Sequence, residues 1–311
     1  MKIHVNKKYY ARGKTGKGKF AARLVAAWER MGIDITSNPN AKADIALHIG
    51  RCNYSSKAKF QVLRVGPACI NTNMNHKKIN AEKHASVKKA DAIVYQSRYS
   101  KKIYHKLVCN PDKPEVVIFN GADPKDYEVG VQLPKNKINF LASTRVWLAQ
   151  KRLKQIIRAF LEADINNSRL IVCGDTRDEY KKYERYENIR FAGPIGDTEL
   201  RIHLNSCVAM IHLTFVDTCP NSVVEAQIAG CPVICTDQGG THEILRYGKV
   251  LRDKPFKYKP VNLDKPPKID REILIQATND ATTWNFDKNL AKDLHIDNIA
   301  KQYLTFFEKL L

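Results

Sequence analysis

The sequence predicts an α/β protein of two doubly wound domains in series facing a central cleft, and three observations carry that expectation. Short apolar strands alternate with amphipathic helical stretches from residue 3 onward, the pattern of a parallel sheet wrapped by helices. The alternation breaks over a polar stretch from Asp123-Pro124-Lys125-Asp126 to Leu133-Pro134-Lys135-Asn136 and restarts at Asn139, which places an interdomain linker near residue 130. With 311 residues, 43% of them hydrophobic, the chain is long enough for two cores.

In the first domain, residues 1–129, the expected strands cover 3–5, 44–49, 60–65, 92–95 and 115–119, with helices over 20–31, 77–89 and 97–108. In the second, residues 130–286, strands are expected over 139–143, 170–173, 189–193, 208–213 and 232–235. Its helices cover 151–164 and 221–229, and others open at Asp197 and Thr241. Residues 287–311 place Leu290, Leu294, Ile299, Tyr303, Phe306, Phe307 and Leu310 at helical spacing, which predicts one or two helices packing back on the first domain. The Lys- and Pro-rich stretch 253–268 reads as an exposed loop. Ligands of such sheets sit at the carboxyl ends of the strands, so the cleft is the expected site.

Composition narrows the function. No run of about eighteen apolar residues is present, and the start, Met1-Lys2-Ile3-His4-Val5-Asn6, lacks the apolar stretch of an export signal. Eight scattered cysteines form no Cys-x-x-Cys pair, so they read as reduced thiols rather than metal ligands. The expected location is cytoplasmic, at most peripheral at the inner face of a membrane. The net charge is +20, and residues 1–125 carry 25 Lys and Arg against 8 Asp and Glu. That asymmetry predicts a polyanionic partner for the first domain: an anionic membrane leaflet, a nucleic acid or an anionic glycan.

Residues 13–20, Gly-Lys-Thr-Gly-Lys-Gly-Lys-Phe, match the spacing of a nucleoside-triphosphate loop as far as its lysine. Phe20 stands where a Ser or Thr would ligate magnesium, which argues against an NTPase. Glycines and lysines at this helix start still suit close approach of an anion.

The most informative window is Phe215-Val216-Asp217-Thr218-Cys219-Pro220-Asn221-Ser222-Val223-Val224-Glu225-Ala226-Gln227-Ile228-Ala229-Gly230-Cys231-Pro232-Val233-Ile234, continuing to Gly239-Gly240-Thr241-His242-Glu243. A helix opening at Pro220 or Asn221 directs free amides and its dipole at the strand ends, a seat for a diphosphate. Ser222-x-x-Glu225 also reads as a capping box, in which the glutamate only satisfies the helix start.

The whole window resembles the signature of the family-4 retaining glycosyltransferases, two-domain GT-B enzymes built from Rossmann-like halves and related to sucrose synthase and bacterial glycogen synthase. Residues 90–97, 118–123, Ser143-Thr144-Arg145 with Lys151-Arg152-Leu153, and Phe191-Ala192-Gly193-Pro194 resemble further segments of that family in the same order. Asp217 departs from the family's usual first glutamate.

The resemblance implies a nucleotide-sugar donor, UDP- or GDP-linked, with no other cofactor and no metal; no Asp-x-Asp occurs in the chain. Arg145 and Lys151 would neutralise the leaving diphosphate, with Arg152 a second cationic candidate. Asp217 would lie by the donor sugar, Glu225 would hold the ribose hydroxyls, the amides of Asn221, Ser222 and Val223 would add to the phosphate seat, and Gly193 and Pro194 would form the base loop. In the first domain His76 is the candidate for handling the acceptor, Arg64 for meeting an anion, and Gly16 and Gly18 for approaching the donor. The acceptor is a hydroxyl, on a polyanion or an anionic surface such as membrane lipid or glycan. Two other functions fit the charge: a transferase acting on a hydroxylated DNA base, and a nucleic-acid-binding module on a degenerate transferase fold.

Overall fold

A computed structural model of the chain describes residues 1–6, 15–52, 56–131, 133–134 and 136–311. They form two units, Met1–Asp123 with Lys257–Val261 and Asp293–Leu311, and Pro124–Phe256 with Asn262–Lys292. Each unit holds one six-stranded sheet, and every strand pair in both is parallel.

Unit 1 contains, in chain order, β1 (Lys2–Val5), α1 (Gly16–Arg30), β2 (Asp34–Thr36), β3 (Ile45–Gly50), β4 (Phe60–Val65), α2 (His76–Lys88), β5 (Ala92–Tyr95), α3 (Arg98–Leu107) and β6 (Glu115–Val117), with the strands ordered β2-β1-β3-β4-β5-β6. The central strands are buried on both faces, which is why they read as unbroken apolar runs rather than alternating ones. Helix α1 starts at Gly16 and not at Phe20, because Thr15 Oγ1 accepts the Gly18 amide at 3.2 Å and supplies the cap.

Unit 2 contains β7 (Ile138–Val146), α4 (Leu153–Ala163), β8 (Ser168–Asp175), β9 (Ile189–Gly193), α5 (Asp197–Ser206), β10 (Ala209–Ile211), α6 (Asn221–Ala229), β11 (Val233–Thr236), β12 (Gly248–Leu251) and α7 (Arg271–Asp280), with strand order β12-β11-β10-β7-β8-β9. On α4 the buried residues Leu153, Ile156, Ile157 and Phe160 recur at helical spacing and join Phe140, Leu170, Ile211 and Leu274 in one core. The helix expected at Thr241 is a single turn over His242–Ile244. Strands β2 and β12 and helix α7 have no counterpart among the expected elements.

The last helix, α8 (Ile296–Glu308), returns to unit 1. Its Tyr303 and Phe307 rings each lie 5.9 Å from Trp28, whose indole N–H donates to the Ala300 carbonyl at 3.2 Å. Compared with the expected limits, the division falls at Asp123/Pro124 rather than at 129/130. Asp123 pairs with Arg30 at 3.0 Å, while Asp126 three residues later pairs with Arg201 at 3.2 Å. Residues up to Lys292 also stay with unit 2, where the Lys288 side chain packs over Gly230.

Candidate functional site

In the sheet of unit 2 the order reverses between β7 and β10, the neighbouring strands whose helices leave in opposite directions. At such a switch point the carboxyl ends of the strands open onto a ligand site. The end of β7 carries Thr144, half-buried, and Arg145, exposed. The following chain is held down by Trp147, whose indole N–H donates to the Cys173 carbonyl at 3.0 Å. A turn over Ala149–Lys151 then brings the Lys151 ammonium back onto Thr144 Oγ1.

The loop after β10 is joined to that turn, because the Phe215 amide donates to the Gln150 carbonyl at 2.9 Å. Val216, a β-branched residue, is held at φ 57°, a strained conformation that persists only where surrounding contacts enforce it. Asp217 follows. Its carboxylate accepts the Thr218 amide at 2.7 Å, and its carbonyl accepts the Gly240 amide at 2.7 Å.

Electrostatics ties these side chains together. Burial holds the Lys151 ammonium below its ordinary pKa, with Arg145 acting in the same direction and Asp217 opposing. Burial raises the Asp217 carboxyl above its ordinary value, against the Thr218 and Cys219 amides and the charge of Lys151. His212, on the segment leaving β10, is pushed down to about 3 by burial and then by Lys151, so it is neutral at physiological pH. The arrangement is a partly desolvated cationic site with one carboxylate and one buried, neutral imidazole beneath it.

Helix α6 opens just beyond. Pro220 occupies its N-cap and no side chain caps it, so Ser222 is the second helical residue and the capping-box explanation of Glu225 fails. Glu225 is 3% exposed, an unusual place for a carboxylate serving only a helix start. The helix ends at Gly230 in the left-handed conformation (φ 83°). Gly193 closes β9 at φ 66°, with Pro194 exposed after it, two strands from β7 at the same edge of the sheet.

Arg145, Lys151 and Asp217 are therefore brought together, while the expectations for Arg152 and Arg64 change and His76, Gly16 and Gly18 fall at helix starts. Arg152 is not available to a donor: its side chain and that of Asp253 are both 0% exposed and meet at 2.7 Å. Arg64 is 2% exposed, hydrogen-bonded to Asn120 and stacked 4.1 Å from the Phe20 ring, so it is a packing residue of unit 1 rather than an exposed anion receptor. His76 is the first residue of α2, behind an Asn75 cap that accepts the Lys78 amide at 3.1 Å, a helix start by geometry. Gly16 opens α1 and the Gly18 amide is spent on Thr15; Gly13 and Lys14 of the loop-like motif lie outside the described residues.

Sequence reasoning missed His212 and Thr144. A histidine just after a buried strand and five residues before the loop acid was the available signal for the first. Among the described residues no group of three or more His, Cys, Asp or Glu is placed to hold a metal ion.

Residues 136–256, nearly the whole first segment of unit 2, match the model of the glycosyl transferases group 1. This segment is a group 1 glycosyltransferase domain. Over 255 residues, 75% of the chain, the protein is 24% identical to an uncharacterized glycosyltransferase of Methanocaldococcus jannaschii, and the match spans 63% of that relative's length. Among solved structures, a sucrose-phosphate synthase from Thermosynechococcus elongatus matches all of this chain and 99% of its own with a TM-score of 0.72 at 13% identity. The Anabaena protein HepE in complex with UDP-glucose matches 99% of this chain and 100% of its own, with a TM-score of 0.66 at 14% identity. The fold is GT-B, two Rossmann-like sheets, as the sequence predicts. The glycosyltransferase domain contains every residue of the cationic site at β7 and β10 and all of α6.

Proposed function

We propose that the protein transfers a sugar from a nucleotide-sugar donor to a hydroxyl acceptor, with retention of anomeric configuration and with side-chain cations in place of a metal. The observation that carries this is the convergence of Arg145, Lys151 and Asp217 at the switch point of unit 2, beside the uncapped start of α6. Departure of a nucleoside diphosphate places two to three negative charges at the strand ends. Arg145 and Lys151 balance them, and their partial desolvation strengthens each contact. The amides of Asn221, Ser222 and Val223 add dipolar stabilisation.

Glu225 accepts the ribose hydroxyls from its buried position on α6, and Gly193 and Pro194 border the base. Asp217 stands at the donor sugar, its carboxylate oriented by the Thr218 amide. Neutral His212 keeps the floor of the site uncharged next to Lys151, so the diphosphate meets two cations rather than three. HepE was captured with UDP-glucose, which supports a uridine donor as the first choice. The excess of 25 basic over 8 acidic residues in 1–125 supports an anionic acceptor, or one carried on an anionic surface.

The test is a thermal-shift screen with UDP, GDP, ADP, CDP and TDP, with and without magnesium, on wild type, Arg145→Ala and Glu225→Ala. Selective stabilisation by one diphosphate without magnesium, lost in both variants, is the expected result. Loss of one charge-assisted contact costs about 1.5–3 kcal/mol, a tenfold or greater weakening. Absence of any nucleotide response in wild type overturns the proposal.

A further inference from the structure

Unit 1 contains a buried lysine that the donor site does not use. Lys83 is 9% exposed and lies one turn after Asn80 on α2. Asn80 fastens that face of the helix to the segment leaving β4, accepting the Cys69 amide at 2.8 Å and donating to the Cys69 carbonyl at 2.9 Å. The ammonium of Lys83 is thereby brought over the carboxyl ends of two neighbouring strands, β3 and β4. A Cβ placed on Gly66, just past β4, would lie 3.8 Å from Lys83 Nζ and 3.8 Å from the Cα of Gly50, the last residue of β3. Gly50 itself has φ +86° and would have nothing within 4 Å of an added Cβ. Two glycines thus leave bare backbone and open space beside a lysine head group.

Among the described residues no carboxylate or carbonyl pairs with the Lys83 ammonium. Arg51 and Lys17 repel it, while Cys69 and Glu82 act in the opposite direction, Glu82 being already held by Arg51 at 2.8 Å. Lys17 is exposed on the first turn of α1. An ammonium taken this far out of water without a counter-charge is costly, and ordinary folds avoid it. A bound oxyanion supplies the missing charge, and three cations around bare strand ends are the chemistry that recognises one.

We propose that Lys83, with Arg51 and Lys17, forms an oxyanion site at the carboxyl ends of β3 and β4 that takes a phosphate or carboxylate group. Assigning that group to the acceptor rests on the proposed transferase activity; the existence of the site does not.

The experiment titrates the full chain with inorganic phosphate and, separately, acetate, against chloride at equal ionic strength, reading thermal shift and calorimetric affinity. The samples are wild type, Lys83→Met, Arg51→Met, Arg145→Ala and the exposed-surface control Lys106→Met. Phosphate, acetate or both should stabilise wild type beyond chloride, the better of the two naming the group, and Lys106→Met should respond equally. Lys83→Met should bind about tenfold or more weakly, while its melting temperature without added anion holds or rises because an unpaired buried charge is gone. Arg145→Ala, altered only in unit 2, should retain the Lys83-dependent response. Arg51→Met should lose part of it, which decides the matter if Lys83→Met does not fold. Equal responses to chloride, or an unchanged response in Lys83→Met, overturn the site. UDP binding on the same samples separates the two proposals: wild type that responds to phosphate through Lys83 but not to UDP keeps this site and loses the transferase.

Discussion

The Arg152 guanidinium meets the Asp253 carboxylate at 2.7 Å with neither side chain exposed to solvent. Arg152 also donates to the Leu213 carbonyl at 3.1 Å and lies 5.1 Å from the Phe215 ring, so the pair anchors the loop that presents Asp217. Breaking a buried pair leaves one charge stranded, at a cost of about 3–5 kcal/mol, whereas replacing both partners with apolar groups is far milder. Arg152→Met and Asp253→Asn should each lower the unfolding free energy by an amount in that range, read from the shift of the denaturant midpoint, and Arg152→Met with Asp253→Leu should recover most of it. Single variants as stable as wild type would show that Arg152 is not held as described.

Asp217 gives a pH signature. Its folded-state pKa is raised by burial above the ordinary carboxylate value, so stability linked to this group is complete below the ordinary value and is lost as pH rises through the folded one. Asp217→Asn removes that loss. The variant should be more stable than wild type at pH 7, with the gap closing as pH falls through and below the ordinary carboxylate range. If the carboxylate stands at the sugar and not at the diphosphate, as proposed, sugar transfer should fall while UDP affinity changes little. A stability gap that widens on acidification would contradict the raised pKa.

His212 runs the other way. A pKa of about 3 in the folded chain lies below the ordinary 6.5, so its contribution to stability is present above 6.5 and disappears as pH falls toward 3. Each pKa unit corresponds to about 1.4 kcal/mol, which makes this one of the larger acid sensitivities in unit 2. His212→Phe keeps a planar ring in the same buried position and cannot be protonated. Its melting temperature should fall less steeply than wild type between pH 7 and pH 4. Parallel pH profiles for the two proteins would rule out His212 as the source.

The fold was legible because both sheets are parallel and buried, so their strands stand out as apolar runs such as Ala92–Tyr95 and Val233–Thr236. What escaped has identifiable causes. Strand β2, Asp34–Thr36, is three residues long and half-exposed at a sheet edge, too short for any periodicity. Helix α1 begins on Gly-Lys-Gly-Lys, a loop composition made helical by one Thr15 cap. At the site, Glu225 and Lys151 were expected from the resemblance of their segments to the family-4 glycosyltransferases, since spacing alone reads Glu225 as a helix cap. Arg152 was misread because sequence shows a cation beside Lys151 but not the partner, Asp253, that lies 101 residues away. Lys83 was invisible for the same reason: on paper it is one of many lysines, and only the fold shows that it is buried.

Gly239 supplies the sharpest test of how the Asp217 loop is held. It adopts φ +91°, and a Cβ there would lie 2.6 Å from the Asp217 carbonyl oxygen and 2.8 Å from the Val216 Cα. Those atoms are backbone and already strained at Val216, so they have little room to give. Gly239→Ala combines a left-handed L-residue with a displaced loop, and should cost about 2 kcal/mol or more. Because the Gly240 amide that donates to Asp217 at 2.7 Å sits in the same turn, the displacement should reach the carboxylate and lower turnover more than it lowers UDP affinity. Gly130→Ala is the matched control: it is exposed, nothing lies within 4 Å of an added Cβ and its backbone is not left-handed, so stability and turnover should both stay at wild-type levels. Full turnover in a folded Gly239→Ala protein would mean that the chemistry does not depend on the position of Asp217, and the acid's role at the donor sugar would have to be withdrawn.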